Sequence, residues 1–335
     1  MSDYSIVPNA ALTATADAIR TKSGSQATIE FDHNTGFKDA VDAIQTGGDI
    51  FNKSWPAGAV TTSVLSIPDY VLYERTAVTS VSAPNAVQVG TGAFWGASGM
   101  TSISLPSATT IGGNAIRSCS ALTSLSLPSA TTIGDEAFQY NIEITSANLP
   151  LVETVGNNIF THCKKLSSIN MPIVRTFNGS NTFQDTAITV LHFDMATTHP
   201  GCKGSNVEIL VMPRLVTFRS DGIWESKMQI LDYGSPDITS GFSITSYDFD
   251  GPKTMQTIIL RYGAVLPIQA NTFYGQAFHD ANYPGTLYVP QNLVNSYLNA
   301  TNWSVVLSSY GNQVLPIEGS YYETHYADGT TIPTS

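Results

Sequence analysis

Charge is scarce in this chain. Lys, Arg, Asp and Glu together supply 12% of its 335 residues, and they sum to −11 with no basic cluster. Proteins that hold nucleic acid or an anionic membrane surface need grouped Lys and Arg, so neither partner is expected. Three cysteines over this length do not make a disulfide framework. No apolar run approaches the ~18 residues of a membrane span, and no membrane insertion is expected. The opening MSDYSIVPNAALTATADAIR lacks a basic n-region and an unbroken apolar core, and the closing DGTTIPTS lacks an apolar tail, so neither secretion signal nor anchor is visible.

Catalytic patterns are missing too. The many serines have no GxSxG elbow among them. The best metal candidate, His192, Asp194, His199 and Cys202, matches no compact ligand spacing and reads as ordinary loop residues. His162-Cys163 reads as a turn with a packed thiol rather than a nucleophile. The expectation is a protein that is not an enzyme, with no cofactor and no metal.

What the chain does contain is a repeat. MTSISLPSATTIGGNAIRSCSA, from Met100, is followed by LTSLSLPSATTIGDEAFQYNIE, and twelve of the 22 positions are identical. The frame extends both ways: Val78, Met100, Leu122, Ile144, Leu166 and Ile188 keep the 22-residue interval, as do Ile67, Val89, Ile111, Ile133, Val155 and Phe177. A fixed period in this range marks a solenoid, in which one unit cannot bury its apolar face alone and only stacking completes the core.

The positions have physical readings. Leu122, Leu125 and Leu127 are apolar with Ser or Thr between them, a short strand with one buried face. Pro84, Pro106, Pro128, Pro150 and Pro172 end each strand, since proline cannot donate to a ladder. Gly90, Gly112, Gly134 and Gly156, with Asn178 next, predict a turn residue at positive φ. Ala93-Phe94, Ala115-Ile116, Ala137-Phe138 and Ile159-Phe160 plug each coil with a large side chain. Beyond Ala187 the triplets Ile188/Leu191/Phe193, Val207/Leu210/Met212, Met228/Leu231/Tyr233, Met255/Ile258/Leu260 and Leu287/Val289 continue the frame at intervals drifting from 19 to 29 residues, with Ser243 to Pro252 expected to loop out. The count is about ten coils.

These residues resemble the BspA-like leucine-rich repeat family, whose units read close to LTSLxLPxxxTxIGxxAFxxC, with Cys119 and Cys163 falling in frame. The resemblance implies a leucine-rich-repeat solenoid of parallel strands with short helical or irregular turns. Residues 1–50 lie outside the frame and read as an N-terminal helical module; 51–283 form the solenoid; 284–335 form a closing helix, strand and tail. LTATADAIRTKSG with GFKDAVDAI is similar to an N-terminal module of phage tail and minor structural proteins, and LYVPQNLVNSYLNATNWS with LPIEG to the closing segment of such repeat proteins. The resemblance thus implies a virion structural protein, associated with the tail or baseplate, that binds the host cell surface. The alternatives are a head decoration or fibre protein and a bacterial cell-surface adhesin. Implied partners are other virion proteins and a host surface glycan or protein.

Two groups of residues are candidates for those contacts. Leu12 and Ile19, then Phe37, Val41 and Ile44, form apolar stripes at helical spacing, suited either to capping the first coil or to attachment and homo-oligomerisation, a trimer included. The outward Ser and Thr of the strands form a polar ladder edged by aromatic residues. Trp95, Tyr140, Trp224, Tyr233, Tyr262 and Tyr274 are the candidate ligand contacts, because aromatic rings with polar neighbours suit sugars and protein hot spots. Specificity is expected in the irregular half, residues 188–280, where inserted loops break the repetition.

Overall fold

The computed structural model describes residues 58–179, 181–218, 223, 225–242, 255–270, 272–273, 278 and 284–323. Over them the chain winds as a solenoid of parallel strands. One row of strands holds Gly58–Thr61, Val78–Ser82, Ser102–Ser104, Ser124–Ser126, Ser146–Asn148, Ser168–Asn170 and Val190–His192. Partners such as Ser80 with Ser102 and Ser124 with Ser146 stand one 22-residue repeat apart. A second row holds the two-residue strands Ser66–Ile67, Gln88–Val89, Thr110–Ile111, Thr132–Ile133, Thr154–Val155 and Thr176–Phe177, joined as one six-stranded sheet. Leu122, Leu125 and Leu127 point inward and are buried, while Ser124 and Ser126 between them are exposed. The strands stop at proline, and the coils stay tied there by side chains: Ser107 and Ser129 donate to the carbonyls of Pro84 and Pro106 at 2.7 Å.

A third row of hydrogen bonds runs along the turn side. Gly92, Phe94 and Gly96 donate their N–H groups to the carbonyls of Gly113, Ala115 and Arg117 in the next coil, and Asn114, Ile116 and Ser118 repeat this on Asp135, Ala137 and Gln139. Two residues per coil take left-handed backbone conformations here: Tyr70, Gly92, Asn114, Glu136 and Asn158 in one row, and Glu74, Gly96, Ser118, Tyr140 and His162 in the other.

The positive φ therefore falls elsewhere than expected. Gly90, Gly112, Gly134 and Gly156 do not adopt it. They are glycine because coil lies on coil: a Cβ on Gly134 would stand 2.5 Å from the Gly113 nitrogen, and one on Gly156 2.5 Å from that of Asp135. The missing side chain makes room for backbone rather than permitting a turn.

The plugs stack inside. Phe94, Ile116, Phe138 and Phe160 are buried, with Phe138 and Phe160 5.3 Å apart. Phe177, Phe183 and Phe193 join them at the junction with the irregular half. Beside the plugs runs a buried polar row. Cys119 and Cys163 donate their thiols to the carbonyls of Phe94 and Phe138 at 3.1 and 3.2 Å, and Asn141, between them in the stack, donates to that of Ile116 at 2.8 Å. Burial, opposed by hydrogen bonds with the backbone at Ala97 and Asn141, pushes both thiols from 9.0 up to about 12, and burial also raises Cys202. The folded state thus keeps protons that the unfolded chain sheds above pH 9, so stability should fall between that pH and about 12. In native protein at pH 8 a thiol reagent should label these cysteines only at the rate of opening. Immediate labelling of all three would contradict the buried row.

Past residue 190 the first row continues as one six-stranded sheet: Val190–His192, Ile209–Met212, Ile230–Tyr233, Thr257–Leu260, Thr286–Val289 and Gln313–Pro316. Partners are 19, 21, 27, 29 and 27 residues apart. The expected loop from Ser243 to Pro252 lies outside the described residues. After Pro290 come a 3-10 turn, Gln291–Leu293, and two short helices, Val294–Asn299 and Trp303–Ser309. Tyr297 and Trp303 are fully buried, and the Trp303 indole donates to the Leu266 carbonyl at 2.7 Å. A 3-10 turn over Tyr321–Glu323 ends the described residues.

This sheet is apolar on its outer face as well. Val211, Asp232 and Ile259 stand in one outward row and are buried. The chain's own end covers them: Ile317 and Tyr322 pack with Val211, Ile259, Ile209, Ile230 and Tyr288. Arg261 clasps the arrangement, donating Nε and Nη2 to the two Asp232 oxygens and Nη2 again to the Tyr322 carbonyl, all at 2.8 Å.

Candidate interaction surface

The two halves of the strand face differ in what reaches solvent. From Val78 to Asn170 the outward positions are Ser80, Ser102, Ser124, Ser146 and Ser168 beside Ser82, Ser104, Ser126, Asn148 and Asn170. This face is open and its hydrogen bonds run mostly along the stack, as from Asn170 to Asn148 at 2.7 Å and from Asn148 to Ser126 at 3.4 Å. In the second half the same face lies beneath residues 317–322. The switch is legible in the outward row itself, which runs Ser126, Asn148, Asn170, His192 and then Val211, Asp232, Ile259, Tyr288.

The turn edge of the first half carries the exposed rings. Tyr73, Trp95 and Arg117 occupy one repeat position in three successive coils. Tyr73 meets Trp95 nearly at right angles, with centroids 5.4 Å apart. The Arg117 guanidinium lies over Trp95 at 4.9 Å and over Tyr140 at 5.4 Å. Tyr140 in turn stacks on His162 at 4.7 Å, and the His162 Nδ1 is 2.6 Å from Asp185. Tyr70 joins Tyr73 at the far end, 6.0 Å away. The result is one continuous pile of rings, guanidinium and imidazole across neighbouring coils. Tyr140 and Tyr70 are about two-fifths exposed. Both hold left-handed conformations, φ 61 and 53, which bulky residues adopt at a cost.

Of the sequence candidates, Trp95 and Tyr140 meet in this edge, joined only through Arg117. Tyr233 and Tyr262 do not belong to any surface. Both are buried in the core, Tyr262 donating to the Leu215 carbonyl at 2.7 Å and Tyr233 lying 3.1 Å from the His199 imidazole. Tyr233 ends its strand at the inward position that Met212 holds one coil before, and hydrogen-bonding both hydroxyls makes their burial tolerable. Trp224 and Tyr274, and the attachment stripe of Leu12, Ile19, Phe37, Val41 and Ile44, lie outside the described residues. Arg117, Tyr70 and Tyr73 were missed. Their signal was the repeat position itself, where a tyrosine, a tryptophan and an arginine fall 22 residues apart.

The metal candidates do not converge. His192 is 2.7 Å from Asp194 on an exposed strand end. His199 is buried and accepts the Gly201 N–H at Nδ1, so its other nitrogen carries the proton toward Tyr233. Cys202 is separately buried. No group of three or more possible ligands gathers among the described residues.

Residues 61–197 match, in six copies, the family model of the BspA type leucine rich repeat region. This stretch is a BspA-type leucine-rich repeat region. The repeats belong to a family of scaffolds, and the match brings no catalytic residues with it. No curated protein matches the chain. Among solved structures it is similar to a leucine-rich repeat protein from Bacteroides ovatus ATCC 8483, at 13% identity over 78% of this chain and 92% of that one, with a TM-score of 0.27. A leucine rich cell surface protein from Faecalibacterium prausnitzii A2-165 gives 17% over 79% and 80%, TM-score 0.30. The pneumococcal vaccine antigen PcpA gives 12% over 81% and 90%, TM-score 0.26. With TM-scores this low, none of the three bears on what this chain does. Among the described residues no helix is long and apolar enough to cross a membrane.

Proposed function

We propose that this protein is a non-enzymatic adhesion module, a BspA-type solenoid that holds a partner on the surface of its first half. The supporting observation is the edge from Tyr70 to His162, where tyrosine, tryptophan and arginine stand together and partly exposed. These three residue types dominate binding energy at protein surfaces. The open Ser and Asn face beside it offers hydrogen bonds without charge. Arg117 is already paired with Glu136, so adsorption should depend only weakly on salt.

The carrier is a phage particle, with the protein tail-associated and the bound surface that of the host; a bacterial cell surface is the second reading. The phage reading draws on the likeness of the flanking segments to phage modules, the second on the repeat family, many of whose members are cell-surface proteins. Labelled full-length protein should adsorb saturably to some members of a panel of Gram-positive and gut bacteria. Trp95→Ala and Tyr140→Ala should each weaken this about tenfold or more. Val305→Ala, exposed on the closing helix, should not. Adsorption that ignores both edge variants would remove the first half from the reading.

A further inference from the structure

We infer that Asn178 is a site of spontaneous backbone modification: its side-chain amide closes on Gly179, releases ammonia and leaves an isoaspartyl link where the regular coils end. The inference is independent of the adhesion reading. Asn178-Gly179 is the only Asn-Gly pair in the sequence, and the fold builds it in. In the coils before, Gly112, Gly134 and Gly156 are glycine because a Cβ would meet the backbone of the adjacent coil. In this coil the close approach passes to the next residue, and a Cβ on Gly179 would stand 2.5 Å from the Asn157 Cα. Gly179 therefore cannot gain a side chain without displacing backbone. Asn178, released from that contact, carries its own side chain into solvent.

Both reacting groups are free among the described residues. The Asn178 amide makes no hydrogen bond there. At the equivalent positions Thr91 and Asn157 donate their N–H groups to the carboxylates of Asp69 and Asp135, whereas the Gly179 N–H has no acceptor. A glycine nitrogen is also the least shielded, with no Cβ beside it. The reaction needs only water. The Gly179 nitrogen attacks the Asn178 side-chain carbonyl carbon, the bond from that carbon to the amide nitrogen breaks, and ammonia leaves with the Gly179 proton. Water then opens the cyclic imide. Cleavage at the side-chain carbonyl gives aspartate; cleavage at the main-chain carbonyl gives isoaspartate, with a backbone longer by a methylene. Both products place a negative charge at an exposed position, but only the second displaces the chain. Phe177 is held on both sides by the Thr198 hydroxyl, which accepts its N–H at 2.7 Å and donates to its carbonyl at 3.1 Å. The added length must therefore move Gly179 off Asn157. Little pairing on that side resists the shift: the second strand row stops at Thr176–Phe177, and among the described residues only the bridge from Thr198 to Thr217 follows.

The test ages full-length protein in warm, mildly alkaline buffer and maps its peptides by mass, with isoaspartate detected by enzymatic methyl transfer. The Asn178 peptide should lose its amide several times faster than those of Asn148 and Asn170, whose amides are held in hydrogen bonds. Aged wild type should also be cut faster by protease next to residue 178. Asn178→Gln, aged alike, should show neither change. Fresh Asn178→Asp, which supplies the charge without the longer backbone, should resist the protease as fresh wild type does. An Asn178 amide that outlasts those of Asn148 and Asn170 would overturn the inference. Equal cutting of fresh Asn178→Asp and aged wild type would show that charge, and not an isoaspartyl link, loosens the coil.

Discussion

Gly134→Val should destabilise the solenoid by about 3 kcal/mol or more, and the coils on both sides should lose protection with it. The added Cβ would stand 2.5 Å from the Gly113 nitrogen and 2.9 Å from the Gly112 carbonyl carbon, which are backbone atoms of the adjacent coil. That neighbour cannot retreat alone. It is hydrogen-bonded in turn, Gly134 N–H to Ile111 and Gly112 N–H to Val89, so a shift propagates along the stack. Gly241→Ala is the matched comparison. Gly241 does have positive φ, at 83, yet a Cβ there meets nothing within 4 Å. Its cost is backbone strain alone, about 1 kcal/mol. Urea midpoints for the two variants decide the matter: equal shifts would mean that coil contact is not what selects glycine at Gly134.

Arg261→Ala should cost about 3–5 kcal/mol, because it leaves the Asp232 carboxylate buried without a partner. Burial pushes the Asp232 carboxyl up from its ordinary range, and the hydrogen bonds and charge of Arg261, with a smaller contribution from His192, pull it only part of the way back. Taking two charges out of water offsets most of their mutual attraction, so a buried pair of this kind is expected to add little net stability over an apolar one. Replacing both, as Asp232→Leu with Arg261→Met, should then be close to neutral, since Val211 and Ile259 flank Asp232 in the same outward row. What the double variant should lose is the tie from Arg261 to the Tyr322 carbonyl. Faster proteolysis at the C-terminal end, with an unchanged melting midpoint, is the expected signature. A double variant as unstable as Arg261→Ala would show that the ion pair itself holds the sheet.

The two halves of the surface follow from one rule of the stack. A parallel solenoid repeats each outward position every coil, so a face is either open throughout or must change its residues where something covers it. Here the change comes between Asn170 and Val211, at His192, and the cover is the chain's own end. In the irregular half, expected to hold specificity, Tyr233 and Tyr262 are buried and the strand face closes over Val211, Asp232 and Ile259, while Trp224, Tyr274 and the loop from Ser243 to Pro252 lie outside the described residues. Among the described residues the exposed rings are Tyr70 and Tyr140 in the regular half and Tyr321 in the closing segment.

The sequence alone determined the fold class, the phase of the repeat, the inward positions and the drift of the later coils. Those properties are periodic, and in a solenoid a sequence interval is also a spatial one: residues 22 apart become neighbours in adjacent coils. The requirement for glycine at Gly134 was equally visible, but its cause was not. Close approach and positive φ both select glycine, and only the distance between coils separates them. The same holds for the rings. Tyr233 and Tyr140 are alike as letters; Tyr233 lies buried at a strand end beside His199, and Tyr140 stands exposed on the turn edge. Tertiary structure alone decided that residues 317–322 would return over the outer sheet, and that Arg117 would lie between Trp95 and Tyr140. The first joins segments far apart in sequence, outside any period. The second depends on side-chain direction at the left-handed residue Tyr140, which spacing does not specify.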